Sequence, residues 1–317
     1  MLNTSNPTLS IIIVNYNTKD LLVQCLSSIF KHLVDLDFQI IVIDNYSQDE
    51  SVKEVEIRYP KVKLFANTTN KGFAKANNQG LREMGGEFAL LLNPDTIVRE
   101  EAIDKMVEFM KENDDVGILG PKIINPDGSL QASAFSYPTL IDDIILGFHS
   151  NLFFTGKFIS HYHSRLYHLP DHPFRVDWVS GACLMIRKKT IEDIGLLDER
   201  FFLFAEDLDW CLRAKNGGWK VIYFPRACIV HYGGQSTKKN LQIKIWSFYF
   251  KRFYFAKKYR GRFSMGFLKF VSFFELLAKI FIVKMKRRMD HHEKKNRLLG
   301  YKKSIKLIFQ KSDLVCK

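Results

Sequence analysis

Two acidic stretches, far apart in this 317-residue chain, carry the residue types that group transfer needs. The apolar run Leu90-Leu91-Leu92 breaks into Asn93-Pro94-Asp95, which sets a lone carboxylate at a strand's carboxyl end, where open α/β sheets hold their ligands. The second stretch, Glu206-Asp207-Leu208-Asp209-Trp210, reads as a helix start. One carboxylate to hold a divalent metal and another to take a proton are what transfer from a diphosphate-activated donor requires. Neighbouring helical side chains point about 100° apart, so Glu206 and Asp207 do not serve the same proton. One acid of the pair is a candidate to take that proton, and the other orients the acceptor or holds its loop. A first helical turn also favours acids for electrostatic reasons alone, in which case Trp210 is core and Arg213 lies on a solvated or ion-paired face.

Loops between the strands supply the next candidates. Asn15-Tyr16-Asn17 ends the first strand and Asp44-Asn45 ends the second. A carboxylate at Asp44 can accept a hydrogen bond from a pyrimidine ring N–H, or it can simply cap the following helix. In Asn67-Thr68-Thr69-Asn70-Lys71-Gly72, the glycine at a loop-to-helix junction allows close backbone approach, and neighbouring N–H groups, with Lys71, suit an anion. Asn77 and Asn78 have poor helix propensity, so a polar task for them is plausible. Ahead of the second acidic stretch, Asp177 and Trp178 are candidates to touch donor sugar or acceptor, or equally to begin a buried strand. In Ser180-Gly181-Ala182 the small residues leave room for an acceptor near the backbone.

These residues need an α/β frame. Ser10 to Val14 and Phe38 to Ile43 are continuous β-branched runs of the kind buried on both sheet faces. Between them Leu21, Leu22, Cys25, Leu26 and Ile29 repeat at helical spacing. Strand, helix, strand implies a right-handed crossover and parallel strands. The alternation continues through strand Val62 to Phe65, helix Phe73 to Met84, strand Phe88 to Leu92 and helix Glu100 to Asn113. After Val116 shorter strands are expected, with a hairpin tip at Asn125-Pro126-Asp127-Gly128. Strand Trp178 to Arg187, helix Ile191 to Leu196, helix Glu206 to Asn216 and strand Lys220 to Phe224 follow. Residues 136–175 are aromatic and His-rich without a period, which suggests an acceptor-side lid or a membrane-facing loop.

The net charge of +13 is unevenly spread: from Ser236 onward there are about 23 Lys and Arg against about 4 acids, so the preceding part is mildly acidic. This argues against nucleic acid as a partner and for a basic appendage that meets anionic lipid. Phe267 to Val283 carries Lys269, Ser272, Glu275 and Lys279 within an arc of about 120°, a narrow polar stripe on an apolar helix. An in-plane interfacial helix is expected, the alternative being packing on the protein's own core. Cysteines 25, 183, 211, 228 and 316 form no C-x-x-C pair and read as reduced thiols. The polar N-terminus, Met1 to Ser10, has no signal-peptide arrangement, so the catalytic part is expected to stay inside the cell. No G-x-G-x-x-G follows the first strand, against a dinucleotide oxidoreductase.

The segments SIIIVNYN, VIDNYSQD, NKGFAKANNQG, LLLNPDTIV, GPKIINPDGSLQAS, VSGACLMIRKKTIEDIGLLDERFFLFAEDLDWCLRAKNGGW and VHYGGQS, in this order over Leu9 to Ser236, resemble glycosyltransferase family 2, and its rhamnosyltransferase-like members most. The resemblance implies a GT-A α/β fold of the Rossmann-like nucleotide-diphospho-sugar type, a nucleotide-sugar donor and Mg²⁺ or Mn²⁺. By it, Asp44 matches the base-recognition carboxylate, and Asn93-Pro94-Asp95 stands at the Asp-x-Asp motif with its first acid replaced by a more weakly coordinating amide. His231 resembles a further metal ligand, and Asp207 the general base of an inverting displacement. Asn15, Asn17, Asp44, Asn45, Lys71, Gly72, Asn77 and Asn93 are then expected at the nucleotide, Asp177, Trp178, Gly181, Trp210 and Arg213 at donor sugar or acceptor, and Asp95 and His231 at the metal.

The organisation expected is a transferase domain over 1–236 and a basic, amphipathic, membrane-associating helical tail over 237–317. Deoxythymidine-diphosphate rhamnose is the leading donor by resemblance, with a lipid-linked or polysaccharide acceptor at the cytoplasmic face of the membrane. The alternatives are a transferase for a UDP-linked hexose or N-acetylhexosamine, and a non-catalytic nucleotide-sugar-binding scaffold.

Overall fold

In the computed structural model, which describes residues 7–148, 170–234, 240–286 and 288–310, strand β1 (Leu9–Asn15) is buried along its whole length. Period-two alternation sends Ile11 and Ile13 to one side, against Leu22, Cys25 and Leu26 of α1 (Lys19–His32), and Ile12 and Val14 to the other. Each such side chain contributes about 1.5–3 kcal/mol on burial, which holds the strand between two helical layers. Strands β2 (Phe38–Asp44), β3 (Lys63–Ala66) and β4 (Phe88–Leu92) join it in the parallel order β3-β2-β1-β4, as the strand–helix alternation implied. Helices α2 (Ser51–Arg58) and α3 (Phe73–Arg82) complete the crossovers. A Cβ at Gly80 would fall 2.5 Å from Ile12 Cγ2, so close approach of α3 to β1 depends on glycine there.

Beyond β4 the sheet turns mixed. The chain continues through β5 (Thr96–Val98), α4 (Ala102–Glu112), β6 (Val116–Ile124), β7 (Leu130–Gln131) and β8 (Ala134–Phe135) to α5 (Leu140–Phe148). After β9 (Phe174–Arg175) and β10 (Trp178–Val179) come β11 (Cys183–Arg187), α6 (Lys188–Ile194), α7 (Glu206–Asn216) and β12 (Lys220–His231). Strand β11 inserts antiparallel between β4 and β6, β12 runs parallel to β6, and β5 closes the edge antiparallel to β12.

Several expectations change here. Strands β6 and β12 are long rather than short, and β12 runs on past Phe224 to His231 by absorbing a register shift between Phe224 and Cys228, across Pro225. The expected strand Trp178 to Arg187 breaks into β10 and β11, because at Ser180-Gly181-Ala182 the backbone leaves the ladder for other partners. The hairpin tip forms as expected, with Gly128 at φ 83° and its N–H on Asn125 O. Of residues 136–175, where an acceptor-side lid or a membrane-facing loop was expected, part is helix α5 and 149–169 lie outside the described residues.

The chain divides into two units: Met1–Ser136, Leu166–Glu199 and Glu206–Ser236 form one, and Tyr137–Arg165, Arg200–Ala205 and Thr237–Lys317 the other. In the second unit α8 (Leu241–Met285) breaks its helical geometry only at Gly261, φ 86°, and packs with α9 (His291–Phe309). Asn240 and Asp290 cap the two helices through Ile243 N–H and Glu293 N–H. The polar stripe of α8 faces inward: Ser272, Glu275 and Lys279 are buried against Tyr249 and Arg252. An interfacial helix with that stripe turned to water is therefore not what forms. Among the described residues no helix is long and apolar enough to cross a membrane.

Candidate active site

The carboxyl ends of β1 and β2 are in register, Asn15 beside Asp44. Asn15 Nδ2 donates to Asp44 Oδ1 at 2.9 Å and to Ser47 Oγ at 3.0 Å, while Thr18 Oγ1 donates to Asn15 Oδ1 at 2.7 Å. Asp44 Oδ2 takes Ser47 N–H at 2.9 Å. Two acceptor positions of the carboxylate remain after these contacts, enough for a ring N–H of a base. Asn17, at φ 54°, accepts Gln48 N–H on its side chain and gives its own N–H to Ser47 Oγ. The β1 and β2 loops are thus laced into one rigid rim.

The adjoining loop is built on asparagines. Asn45 Nδ2 donates to Asn70 Oδ1 and Gly72 O, and Asn45 Oδ1 accepts Lys71 N–H at 2.9 Å. Gly72 sits at φ 82°, and its N–H goes to Asn70 Oδ1. Its backbone freedom is used as the sequence implied, but the Lys71 and Gly72 N–H groups expected to face an anion are held by side-chain amides instead. Lys71 Nζ rests 2.7 Å from Asn67 Oδ1. Asn77 turns back onto Phe73 O within its own helix. Its neighbour Asn78 binds both the N–H and the C=O of Leu197 and reaches Glu199, which makes it a clamp between segments. Hydrogen bonds from Asn78 and Arg82 outweigh partial burial at Glu199 and hold its carboxyl below the ordinary range.

The metal candidates converge by strand pairing. Thr96 lies opposite His231 where β5 meets β12, and this brings His231 Nε2 to 3.1 Å from Asp95 Oδ1. Both residues are buried, and Asn93 Nδ2 lies 3.4 Å from the same imidazole nitrogen. On the ring's other side Nδ1 is 2.6 Å from Gln131 Oε1. Gln131 Nε2 already donates to Asn125 Oδ1 and His231 O, so its oxygen faces the ring and Nδ1 is the protonated nitrogen. Nε2 faces the Asp95 carboxylate, and the two together offer a nitrogen and an oxygen from which a divalent cation could displace any proton they share. Among the described residues no three His, Cys, Asp or Glu side chains gather as a complete metal cage. One carboxylate and one imidazole would suffice for an ion only if a bound donor's diphosphate and water supplied its remaining positions. Gln131 lies within the GPKIINPDGSLQAS segment, and only the β6–β7 hairpin brings it to the His231 ring.

The second acidic stretch connects to this place through the β4–β11 junction. Asp207 Oδ2 accepts Gly181 N–H at 2.9 Å, the next residue's Ala182 O accepts Asn93 N–H at 2.9 Å, and Asp95 lies two residues further on. A Cβ at Gly181 would come within 3.3 Å of Asp207 Oδ2, so glycine here sets how closely the acid meets the strand. Glu206 is buried beside it, and Phe204 and Ala205, immediately before, both lie at φ 70°, a conformation non-glycine residues adopt only when their surroundings hold them.

The remaining candidates separate. Trp178 stacks on Phe135 with ring centroids 4.1 Å apart and donates to Ser136 O, and Asp177 pairs with Lys215. Trp210 is fully buried with its indole N–H on Gly195 O. Arg213 binds Asp209 at 2.9 Å and the carbonyls of Ile194, Gly195 and Leu196. Trp210 and Arg213 thus bind α7 to the segment at the end of α6. Burial raises the Cys25 thiol to about 12, so it stays protonated and unreactive.

The description "Glycosyl transferase family 2" matches residues 10–168, half of the chain. The chain belongs to that family. Among curated relatives it is 29% identical over 218 residues to N-acetylglucosaminyl-diphospho-decaprenol L-rhamnosyltransferase of Mycobacterium tuberculosis, covering 63% of this chain and 68% of that one. It is 26% identical over 246 residues to the dTDP-rhamnosyl transferase RfbF of Shigella flexneri, covering 76% and 74%. Among solved structures it resembles the mannosyltransferase PcManGT from Pyrobaculum calidifontis in complex with GDP-Man and Mn²⁺, with a TM-score of 0.56 at 14% identity over 98% of this chain and 89% of that one. GalNAc-T7 with UDP, GalNAc and Mn²⁺ gives 0.54 at 17% identity, over 79% of this chain and 51% of that one. The fold is GT-A, and this family 2 member is a glycosyltransferase of the rhamnosyltransferase-like group.

Proposed function

We propose that this glycosyltransferase is an inverting, metal-dependent enzyme that moves a sugar, rhamnose from dTDP-rhamnose first among donors, to a lipid-linked or polysaccharide acceptor in cell-surface glycan synthesis. The carrying observation is the β4–β11 junction, which ties Asp207 to Asn93 and so to Asp95 through one bond from the Gly181 N–H to the Asp207 carboxylate and one backbone bond from Asn93 N–H to Ala182 O. The names of the rhamnosyltransferase relatives support the donor and a lipid-linked acceptor. The mildly acidic first part and basic tail support work at the cytoplasmic face of an anionic membrane.

Asp44, backed by Asn15, Ser47 and Thr18, receives the base. Asp95 and His231 would hold Mg²⁺ or Mn²⁺, whose charge stabilises the departing diphosphate. Asp207 takes the proton of the acceptor hydroxyl as its oxygen bonds to the anomeric carbon and the bond from that carbon to the diphosphate oxygen breaks. One displacement inverts the centre.

A panel of nucleotide sugars scored by mass spectrometry with a lipid-diphosphate acceptor tests this. Product is expected from dTDP-rhamnose above UDP-hexoses, abolished by EDTA and restored by Mn²⁺; turnover that persists in EDTA would refute metal dependence. Gln131→Ala is expected to free the His231 ring and weaken Mn²⁺ binding by about 10- to 100-fold. Calorimetric titration of Mn²⁺ into donor-free protein measures it, and an unchanged affinity would remove His231 from the ligand set.

A further inference from the structure

Helix α8 is inside-out. Its charged residues Glu275 and Lys279 are buried with Arg252, whereas Phe267, Phe270, Phe274, Leu277, Phe281 and Met285 point outward. Phe270 is 64% and Phe281 65% exposed, against 0% for Glu275. The outward residues recur at spacings of three and four, so they line one helix face for about 27 Å. Water drives the opposite arrangement, and an exposed apolar face of this length marks a contact surface.

Charge identifies what covers it. Arg262 lies exposed beyond one end of the stripe and Lys284, Lys286 and Arg288 at the other, within the part of the chain that carries the whole positive excess. Basic residues flanking an apolar stripe match an anionic bilayer, whose headgroups meet the cations while the rings enter the acyl boundary. A second copy of the chain would bring the same cations against each other. The inward charges explain how the face stays out: Glu275 accepts from Arg252 at 2.8 Å and from Lys279 at 2.5 Å, and rotating the helix to hide its phenylalanines would tear these buried pairs apart.

We propose that the outer face of α8, centred on Phe270, Phe274 and Phe281, inserts in-plane into the surface of an anionic lipid bilayer and holds the enzyme on the membrane. The inference rests on the reading of a membrane-bound acceptor. Vesicle binding is measured without donor or acceptor, so its failure leaves transfer to a detergent-solubilised acceptor standing.

Full-length protein is sedimented with vesicles of phosphatidylcholine alone and of phosphatidylcholine with phosphatidylglycerol. Binding is expected to the mixed vesicles, with each flanking cation worth about fivefold. Phe270→Ser with Phe274→Ser is expected to lower affinity by about 100-fold, roughly tenfold per ring, with the far-ultraviolet spectrum unchanged. Phe281→Trp, a conservative change, is expected to add fluorescence that brominated lipid quenches. Vesicle binding indifferent to the double substitution, or an added indole that brominated lipid leaves unquenched, would overturn the proposal. So would a lipid-free dimer that the double substitution dissociates, in a protein that ignores vesicles.

Discussion

Asp207→Asn protein is expected to bind nucleoside diphosphate and Mn²⁺ as the parent does and to turn over about 10²- to 10⁴-fold more slowly. The amide is isosteric but takes no proton from an attacking hydroxyl. Asp207 also accepts two backbone N–H groups, from Gly181 at 2.9 Å and Leu208 at 2.8 Å. Asparagine offers one oxygen for both, so a loss of about 1 kcal/mol of local stability accompanies the change. That is far too little to unfold the domain, and calorimetry with nucleotide separates it from the catalytic effect. Glu206→Gln serves as the comparison, since the neighbouring carboxylate points elsewhere on the helix and should cost less in kcat. Normal turnover by Asp207→Asn, with donor and metal bound, would move the base to another residue.

The parts of this site differ in how openly the sequence declares them. Asn15 and Asp44 end continuous apolar runs, and a run buried on both faces fixes parallel neighbours, so their register could be anticipated. The meeting of Asp95 with His231 could not, because it depends on β5, three residues long, pairing with the far end of β12. No periodicity survives in three residues, and β12 reaches His231 only by a register shift that hides its length. Trp210 and Arg213 stand next to the acids in sequence and look functional by proximity. Their polar atoms are instead taken up by the backbone around Gly195. For α8 the stripe itself was plain, but its direction was not: an arc of charge names the face that differs from the rest without saying which face meets solvent. Tyr249 and Arg252, on the other side of Gly261, decide it.

Glu275→Ala is expected to destabilise the second unit by about 3–5 kcal/mol, measured as a fall in the urea midpoint, because it strands two buried cations rather than removing a bond. Glu275 has no exposure and accepts from Arg252, Lys279 and the Tyr249 hydroxyl at once. Gly147 of α5 packs onto this cluster so closely that a Cβ there would lie 2.3 Å from Glu275 Oε2, so water has no easy way in to replace the carboxylate. The loss should depend on pH in a definite sense. Burial already lowers the Lys279 ammonium from 10.5, against the pull of Glu275, and removing that carboxylate lowers it further. A base whose folded value lies below its unfolded one is destabilising while pH is below the unfolded value and ceases to be so as pH rises past it. Glu275→Ala should therefore be hurt most near neutrality and recover part of the deficit toward pH 10, whereas the share from the stranded Arg252 remains. Adding Lys279→Met to Glu275→Ala should restore the share of stability lost at Lys279, leave the share lost at Arg252, and erase that recovery; a deficit flat in pH with Lys279 present would show that the ammonium reaches water.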